Sequence, residues 1–251
     1  MNQITQLPFV HVPVGSFLVR CVDPAGLPTH DWILVDSGEA SQVPRLLKAI
    51  DGLLSHEEDR VRYVCLTHGH LDHTAATPAV LERFPGCQVV LHPEEIPFVC
   101  EGKPFGSCPG DTWAFKLLKR FSHEATVRVP RERVLPLKDG ERWEYEHIIR
   151  LVETPGHTPG SASYLHVPSR SLLVGDAVMN IVGPMAKRPG ISGPMAMSTC
   201  HWGDAMKAIT KITQLHEQVD NVFPAHDYSP KGVHISKIQS FHPSAPKSGT
   251  S

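Results

Sequence analysis

Six consecutive positions, His68-Gly69-His70-Leu71-Asp72-His73, hold four side chains able to ligate a metal, and they follow an apolar run that ends at Leu66. Chance is a poor source of such a pattern. With this chain's residue frequencies, H-x-H-x-D-H has on the order of 0.003 expected occurrences. Imidazole is the commonest protein ligand for metals, and 16 of the 251 residues are His. Residues 61–66 read as a strand, which puts the cluster at a strand's C-terminal end. Three further segments repeat this arrangement of apolar run and ligand type: 148–152 lead through 153–156 to His157, 172–175 lead to Asp176, and 222–225 lead to His226. In packed sheets such ends converge on one edge, where α/β proteins keep their active sites.

The remaining chain supplies the sheets and helices this requires. Residues 9–14, 17–22 and 32–35 read as a β-meander. A helix is expected over 41–54, with Val43, Leu46, Leu47, Ile50 and Leu54 at helical spacing. Another helix is expected over 74–84, closed by Pro85-Gly86, and a strand over 88–91. Residues 93–111 lose periodicity and read as a long loop, followed by a short helix over 112–121. Strands are then expected over 133–137, 148–152, 161–167 and 171–174. A loop over 179–202 carries Met179, Met185, Met195 and Met197, ahead of an amphipathic helix over 203–218 and a last strand over 221–223. The pattern predicts one domain over residues 1–242 and a disordered tail over 243–251.

Charge and composition exclude several classes. Lys and Arg number 24 against 26 Asp and Glu, a net charge of −2 that offers no cationic field to a polyanion, so nucleic acid is not an expected partner. No run approaches the roughly 18 apolar residues of a membrane span. The first residues lack a basic segment followed by a long apolar run, so a cytoplasmic protein without membrane association is expected. Six cysteines without a C-x-x-C pair are expected to be isolated buried thiols.

THGHLDH, TPGHTPG, LLVGDA and FPAHD, with VDSG at Asp36, resemble in order and spacing the signature segments of the metallo-β-lactamase superfamily. The resemblance covers about residues 30–228. It implies an α/β fold of four layers, an αββα sandwich with the site at one edge. It also implies that His68, His70 and His157 hold a first metal, that Asp72, His73 and His226 hold a second, and that Asp176 bridges them. Two Zn²⁺ per chain are expected, with iron or manganese as alternatives. The donor set agrees: imidazole and carboxylate suit zinc, and three protein ligands per ion leave positions open for water and substrate. Thr67, Thr154, Thr158 and Asp36 are expected to orient the imidazoles. The other histidines read as structural or solvated, with His201 beside Trp202 as the exception.

Branches of the superfamily differ at identifiable positions. Exported zinc β-lactamases carry Cys at the position of Asp176, and flavodiiron proteins carry Glu at that of His70. Glyoxalase II enzymes add a helical glutathione-binding domain, which is not expected here. The chain is similar in length and ligand set to the short N-acyl-homoserine lactonases, with one departure: their Tyr three residues beyond the bridging Asp is Met179 here. Tyr228 is the candidate substitute. The expected function is therefore a dinuclear zinc hydrolase whose bridging hydroxide opens a lactone or similar acyl ester, with Asp72, Asp176 and Tyr228 as catalytic residues. Phe98, Phe105, Met179, Met185, Met195, Met197 and Trp202 are expected to wall the pocket for a small-molecule acyl substrate. The alternatives are a thioesterase without the glutathione domain and a persulfide dioxygenase with one iron. A non-catalytic interaction protein is disfavoured because all seven ligands are present.

Overall fold

Successive side chains of a strand point to opposite faces, and in the central strands of this protein both faces are apolar. In β2 (Ser16–Val22), Phe17 and Val19 join one core and Leu18 another; β3 (Pro28–Val35) divides Ile33 and Val35 from Leu34, and β4 (Arg60–Cys65) divides Tyr63 and Cys65 from Val64. A sheet apolar on both sides must be covered on both sides. The computed structural model describes residues 4–7, 14–103, 127–182, 188–227 and 231–241, and these meet that demand with four layers.

The first sheet has six strands in the order β1 (Ile4–Leu7), β2, β3, β4, β5 (Gln88–Leu91) and β6 (Val134–Pro136). The second has five, in the order β11 (Val233–His234), β10 (Asn221–Pro224), β9 (Ser171–Gly175), β8 (Ala162–His166) and β7 (Ile149–Glu153). Between them lies a shared core in which Phe17, Ile33, Tyr63 and Val90 pack with Ile149, Leu151, Tyr164 and Leu173. Tyr164 crosses this core fully buried, its hydroxyl donating to the carbonyls of Leu66 at 3.0 Å and Val90 at 3.2 Å. The outer face of the first sheet is covered by the helices Val43–Asp51 and Thr77–Arg83, through Leu46, Ile50, Val80 and Leu81. The helices Trp202–Gln214 and Ile235–Gln239 cover the second sheet through Ile209, Ile212, Ile235 and Ile238. This is the αββα sandwich expected from the sequence.

Strand direction fixes where the ligand segments end. β3 through β6 run parallel, as do β9 and β10, and β7 shares the direction of β9 because both pair antiparallel with β8. The turns after β3, β4, β5, β7, β9 and β10 therefore emerge at strand C-terminal ends.

The elements depart from the sequence reading in several places. The expected helix over 74–84 is two helices, Leu71–Thr74 and Thr77–Arg83; Pro78 sits in the first turn of the second, where its missing N–H costs nothing. The expected loop from residue 93 begins with a 3-10 turn, Pro93–Glu95, and a helical turn, Ile96–Val99, too short to show periodicity. β1 pairs antiparallel with β2, and β11 and the helix Ile235–Gln239 close the second sheet; none of these three was anticipated. The expected helix over 112–121 and the tail over 243–251 lie outside the described residues, as does nearly all of the expected strand over 9–14. Cys200 is disulfide-bonded, against the expectation of isolated thiols, while Cys21, Cys65, Cys87 and Cys100 are free. Among the described residues no helix is long and apolar enough to cross a membrane.

Candidate metal centre

Asp36 leaves the end of β3 with φ at +55°, a left-handed conformation that Asp tolerates better than most residues. The turn aims its carboxylate at the end of neighbouring β4. Oδ1 accepts from the Thr67 amide at 2.8 Å, while Oδ2 accepts from the Thr67 hydroxyl at 2.8 Å and from His73 Nδ1 at 2.8 Å. Having given its proton to Asp36, the Thr67 hydroxyl accepts from His68 Nδ1 at 3.1 Å. His157 repeats the device. Its Nδ1 lies 3.3 Å from the Thr199 hydroxyl, whose own proton goes to the Met195 carbonyl at 2.8 Å. His68 and His157 thus keep their protons on Nδ1 and turn bare Nε2 atoms inward. Burial, reinforced by neighbouring imidazoles, holds the pKa of His68 well below the usual range; burial likewise lowers His157 against the opposing pull of Asp176.

These Nε2 atoms meet at His70. His70 Nδ1 lies 2.8 Å from His68 Nε2 and 2.9 Å from His157 Nε2. One ring nitrogen carries at most one proton, so it satisfies one of the two lone pairs and opposes the other. A cation at their focus removes the conflict. His68, His70, His157 and Asp176 form one group whose donor atoms all lie within 4.8 Å of one another, and Asp72, His73 and His226 form a second.

Asp176 faces both groups. Its Oδ2 is 3.4 Å from His157 Nε2 and 3.3 Å from His226 Nε2, and its Oδ1 is 3.3 Å from His73 Nε2. Asp72 Oδ2 lies 3.5 Å from His226 Nε2 and 3.8 Å from His73 Nε2. Burial opposes charge on every one of these groups, yet the opposed pairs win. Asp72, Asp176 and Asp36 hold His73 well above its ordinary pKa, and Asp176, with Asp72, lifts His226 to about 9. Against the same desolvation, His73 and His226 bring Asp72 down to about 2, and His226 with His73 holds Asp176 well below the carboxylate range. His73 Nε2 and Asp176 Oδ1 are nevertheless buried without a well-formed hydrogen bond, as is His226 Nδ1. Buried polar atoms left in this state call for an unseen partner. The residues present therefore fit two divalent cations, with Asp176 placed to reach either.

Close packing holds the segments in place. Ser37 and Gly38 direct their amides to the His73 carbonyl at 2.7 and 3.3 Å, and the Cys200 amide donates to the His157 carbonyl at 3.0 Å. Gly175, at φ +52°, brings the end of β9 so near β4 that a Cβ there would stand 2.6 Å from the Thr67 hydroxyl oxygen. That contact explains why Asp176 follows a glycine.

Other expected positions fall elsewhere. Thr154 bonds Ser163 and Thr158 bonds Glu95, so neither hydroxyl contacts an imidazole nitrogen in the way Thr67 and Thr199 do. Of the expected pocket wall, Phe98 is buried beneath Gly69, Met179 is buried and bridges Ser192, Met195 is exposed, and Trp202 begins a helix. Met197 lies in the 3-10 turn Ala196–Ser198, and Phe105, Met185 and Tyr228 lie outside the described residues. A cavity of about 570 Å³ that touches Asp72 is lined by Ala40, Leu71, Ala75, Pro78 and Val127, with Glu39, Ser41 and Arg128. Neither Met179 nor Met195 lines this cavity. His201 lines a separate polar cavity of about 460 Å³ with His92, Glu94 and Glu153. A third group, His30, His56 and Glu58, sits beside the N-terminal ends of β3 and β4, away from this edge. Thr199 and Glu95 went unnoticed in the sequence; for Glu95 the available signal was its place just beyond the end of β5.

Two ligand groups at one edge of an αββα sandwich define a class of metal-binding protein. The chain belongs to the metallo-beta-lactamase superfamily, whose sequence model matches residues 16–226. It is 25% identical over 203 residues to the probable metallo-hydrolase YflN of Bacillus subtilis, a match covering 75% of this chain and 73% of that protein. It is 27% identical over 139 residues to a hydroxyacylglutathione hydrolase of Buchnera aphidicola, covering 55% of this chain and 43% of the relative. Among solved structures, the metallo-beta-lactamase family protein TTHA1429 of Thermus thermophilus superposes with a TM-score of 0.64 at 21% identity, over 95% of this chain and 78% of that one. This likeness bears on the fold alone.

Proposed function

We propose that the protein is a hydrolase dependent on two divalent metal ions, with an acyl ester of lactone type as its substrate. The observation that carries this reading is Asp176, whose two oxygens approach His73, His157 and His226 from both ligand groups. His68, His70 and His157 would hold one ion, Asp72, His73 and His226 the other, and Asp176 would contact both. Such ions supply a water acidified toward neutrality and polarise the carbonyl under attack. The chain's own residues do the rest. Asp36, Thr67 and Thr199 fix the imidazole rings, Asp72 carries its carboxylate to the wall of the cavity beside the centre, and the apolar lining of that cavity excludes water from an acyl chain.

A thioester is the second reading, favoured by the similarity to a hydroxyacylglutathione hydrolase. Net charge of −2 argues against nucleic acid and other polyanions as substrates. Elemental analysis combined with a panel of lactones, thioesters and phosphodiesters separates the readings. Two zinc-type ions with lactone turnover is the expected result. A single iron would point to the dioxygenase branch, and preferential phosphodiester turnover would remove the acyl assignment.

A further inference from the structure

Glu95 is a fully buried carboxylate that the proposed hydrolysis does not itself use. It ends the 3-10 turn Pro93–Glu95 beyond β5, and both its oxygens are engaged by two different loops. Oε2 accepts from the Gly69 amide at 2.7 Å; Oε1 accepts from the Gly160 amide at 2.8 Å and from the Thr158 hydroxyl at 2.7 Å. Gly69 stands between His68 and His70. Thr158 stands beside His157. The two loops come so close to the carboxylate that a Cβ at position 69 would lie 3.0 Å from Oε2, and one at position 160 would lie 2.9 Å from Oε1. Two glycines thus open the space that one acid fills.

We propose that Glu95 is the positioning residue of the first ion site: it sets how far the loop bearing His68 and His70 stands from the loop bearing His157. The proposal rests on the two-ion reading above. Its chemistry is specific to a carboxylate, which offers acceptors on both oxygens and donates nothing when ionised. Gln offers one accepting oxygen and one donating nitrogen, so one of the loops would meet donor with donor. Asp is a methylene too short to span both. The hydrogen bonds of Glu95 reach Gly69, Thr158 and Gly160, and none of these three belongs to the second group of Asp72, His73 and His226. A residue that merely stabilised the fold would weaken both ion sites alike or neither.

The test compares wild type, Glu95→Gln and Thr158→Val by zinc titration against a chromophoric chelator. Hydrogen exchange at the Gly69 and Gly160 amides is measured in parallel on the metal-free proteins. Glu95→Gln is expected to raise one of the two dissociation constants about 10–100-fold, the range for residues that orient ligands, and the other by less than about threefold. Exchange at Gly69 or Gly160 should accelerate. Thr158→Val, which removes one of three donors, should weaken the same ion by a smaller factor, and it decides the matter if Glu95→Gln fails to fold. Equal weakening of both ions, or of neither, overturns the proposal, as does unchanged exchange at both glycines. Wild type binding one ion would remove the two-ion reading; the Glu95 proposal would then stand or fall on whether Glu95→Gln weakens that ion.

Discussion

Asp36 Oδ2 lies 2.8 Å from His73 Nδ1, and the same carboxylate takes both the amide and the hydroxyl of Thr67. One acid therefore orients an imidazole in each ligand group, His73 directly and His68 through Thr67. Replacing it with Asn keeps the size and loses an acceptor, leaving the Thr67 amide, or else both the Thr67 hydroxyl and His73 Nδ1, facing an NH₂ group. Asp36→Asn is expected to weaken both ions, each by about 10–100-fold in dissociation constant. Zinc titration reads the two constants separately. Weakening confined to one ion would contradict the shared role.

Much of this centre was legible because its ligands are local in sequence or follow apolar runs. Of the four side chains expected to orient imidazoles, Asp36 and Thr67 do so, while Thr154 and Thr158 bond Ser163 and Glu95. Thr199 was hidden because its partner, His157, lies 42 positions away, beyond β8, β9 and a loop without periodicity. Glu95 was hidden because His-Pro-Glu-Glu reads as a polar loop, and only the parallel pairing of β5 with β4 brings it to the ligand edge. Most strands were readable as apolar runs and the long helices from their helical spacing, while the four layers were implied by the resemblance of the ligand segments to the superfamily. β11, two residues long, left no pattern to read.

Charge in the second group predicts how ion uptake responds to pH. Without metal, His73 is held well above its ordinary pKa and His226 at about 9, so both carry protons at neutral pH. Imidazole binds a metal only when neutral at the ligating nitrogen, so uptake must expel those protons. Affinity at this group should therefore rise with pH toward about 9 and fall on acidification. Calorimetry at pH 7 in buffers of different ionisation enthalpy should detect protons released to the buffer. Identical heats across the buffers would refute the charged state assigned to His73 and His226.

His166 predicts a separate dependence, on stability. It ends β8 fully buried, with Nδ1 2.6 Å from the Ser169 hydroxyl and Nε2 without a hydrogen bond, and burial brings its pKa down to about 4. The unfolded chain takes up this proton near pH 6.5. Between about 6.5 and 4 the unfolded state therefore binds more protons, and stability is lost as pH falls through that window; above it the residue contributes no pH dependence. His166→Gln should flatten the decline between pH 8 and 4.5 by on the order of 2–3 kcal/mol. Urea unfolding at pH 8, 6 and 4.5 in excess chelator provides the comparison. A variant whose stability declines as steeply as that of wild type would acquit His166.

Substrate preference should follow the cavity beside Asp72 rather than the methionines. Leu71 is both its wall and the residue between His70 and Asp72, so a chain lying against it would sit next to the proposed centre. Ala40, Ala75, Pro78 and Val127 complete an apolar lining, and about 570 Å³ accommodates several methylenes. Each methylene buried contributes about 0.8 kcal/mol, or up to about fourfold in kcat/KM if it is buried equally in the transition state. A lactone series of increasing acyl length should therefore rise by less than that factor per step and then level off when the cavity is full. Ala75→Met narrows the cavity without touching a ligand group and should bring the plateau to shorter chains while zinc content stays at the wild-type value. Met179→Ala and Trp202→Ala, at residues outside this lining, should leave the plateau where it is. If the plateau moved with Met179 or Trp202 and ignored Ala75, the acyl chain would have to be assigned to the loop after Asp176 instead.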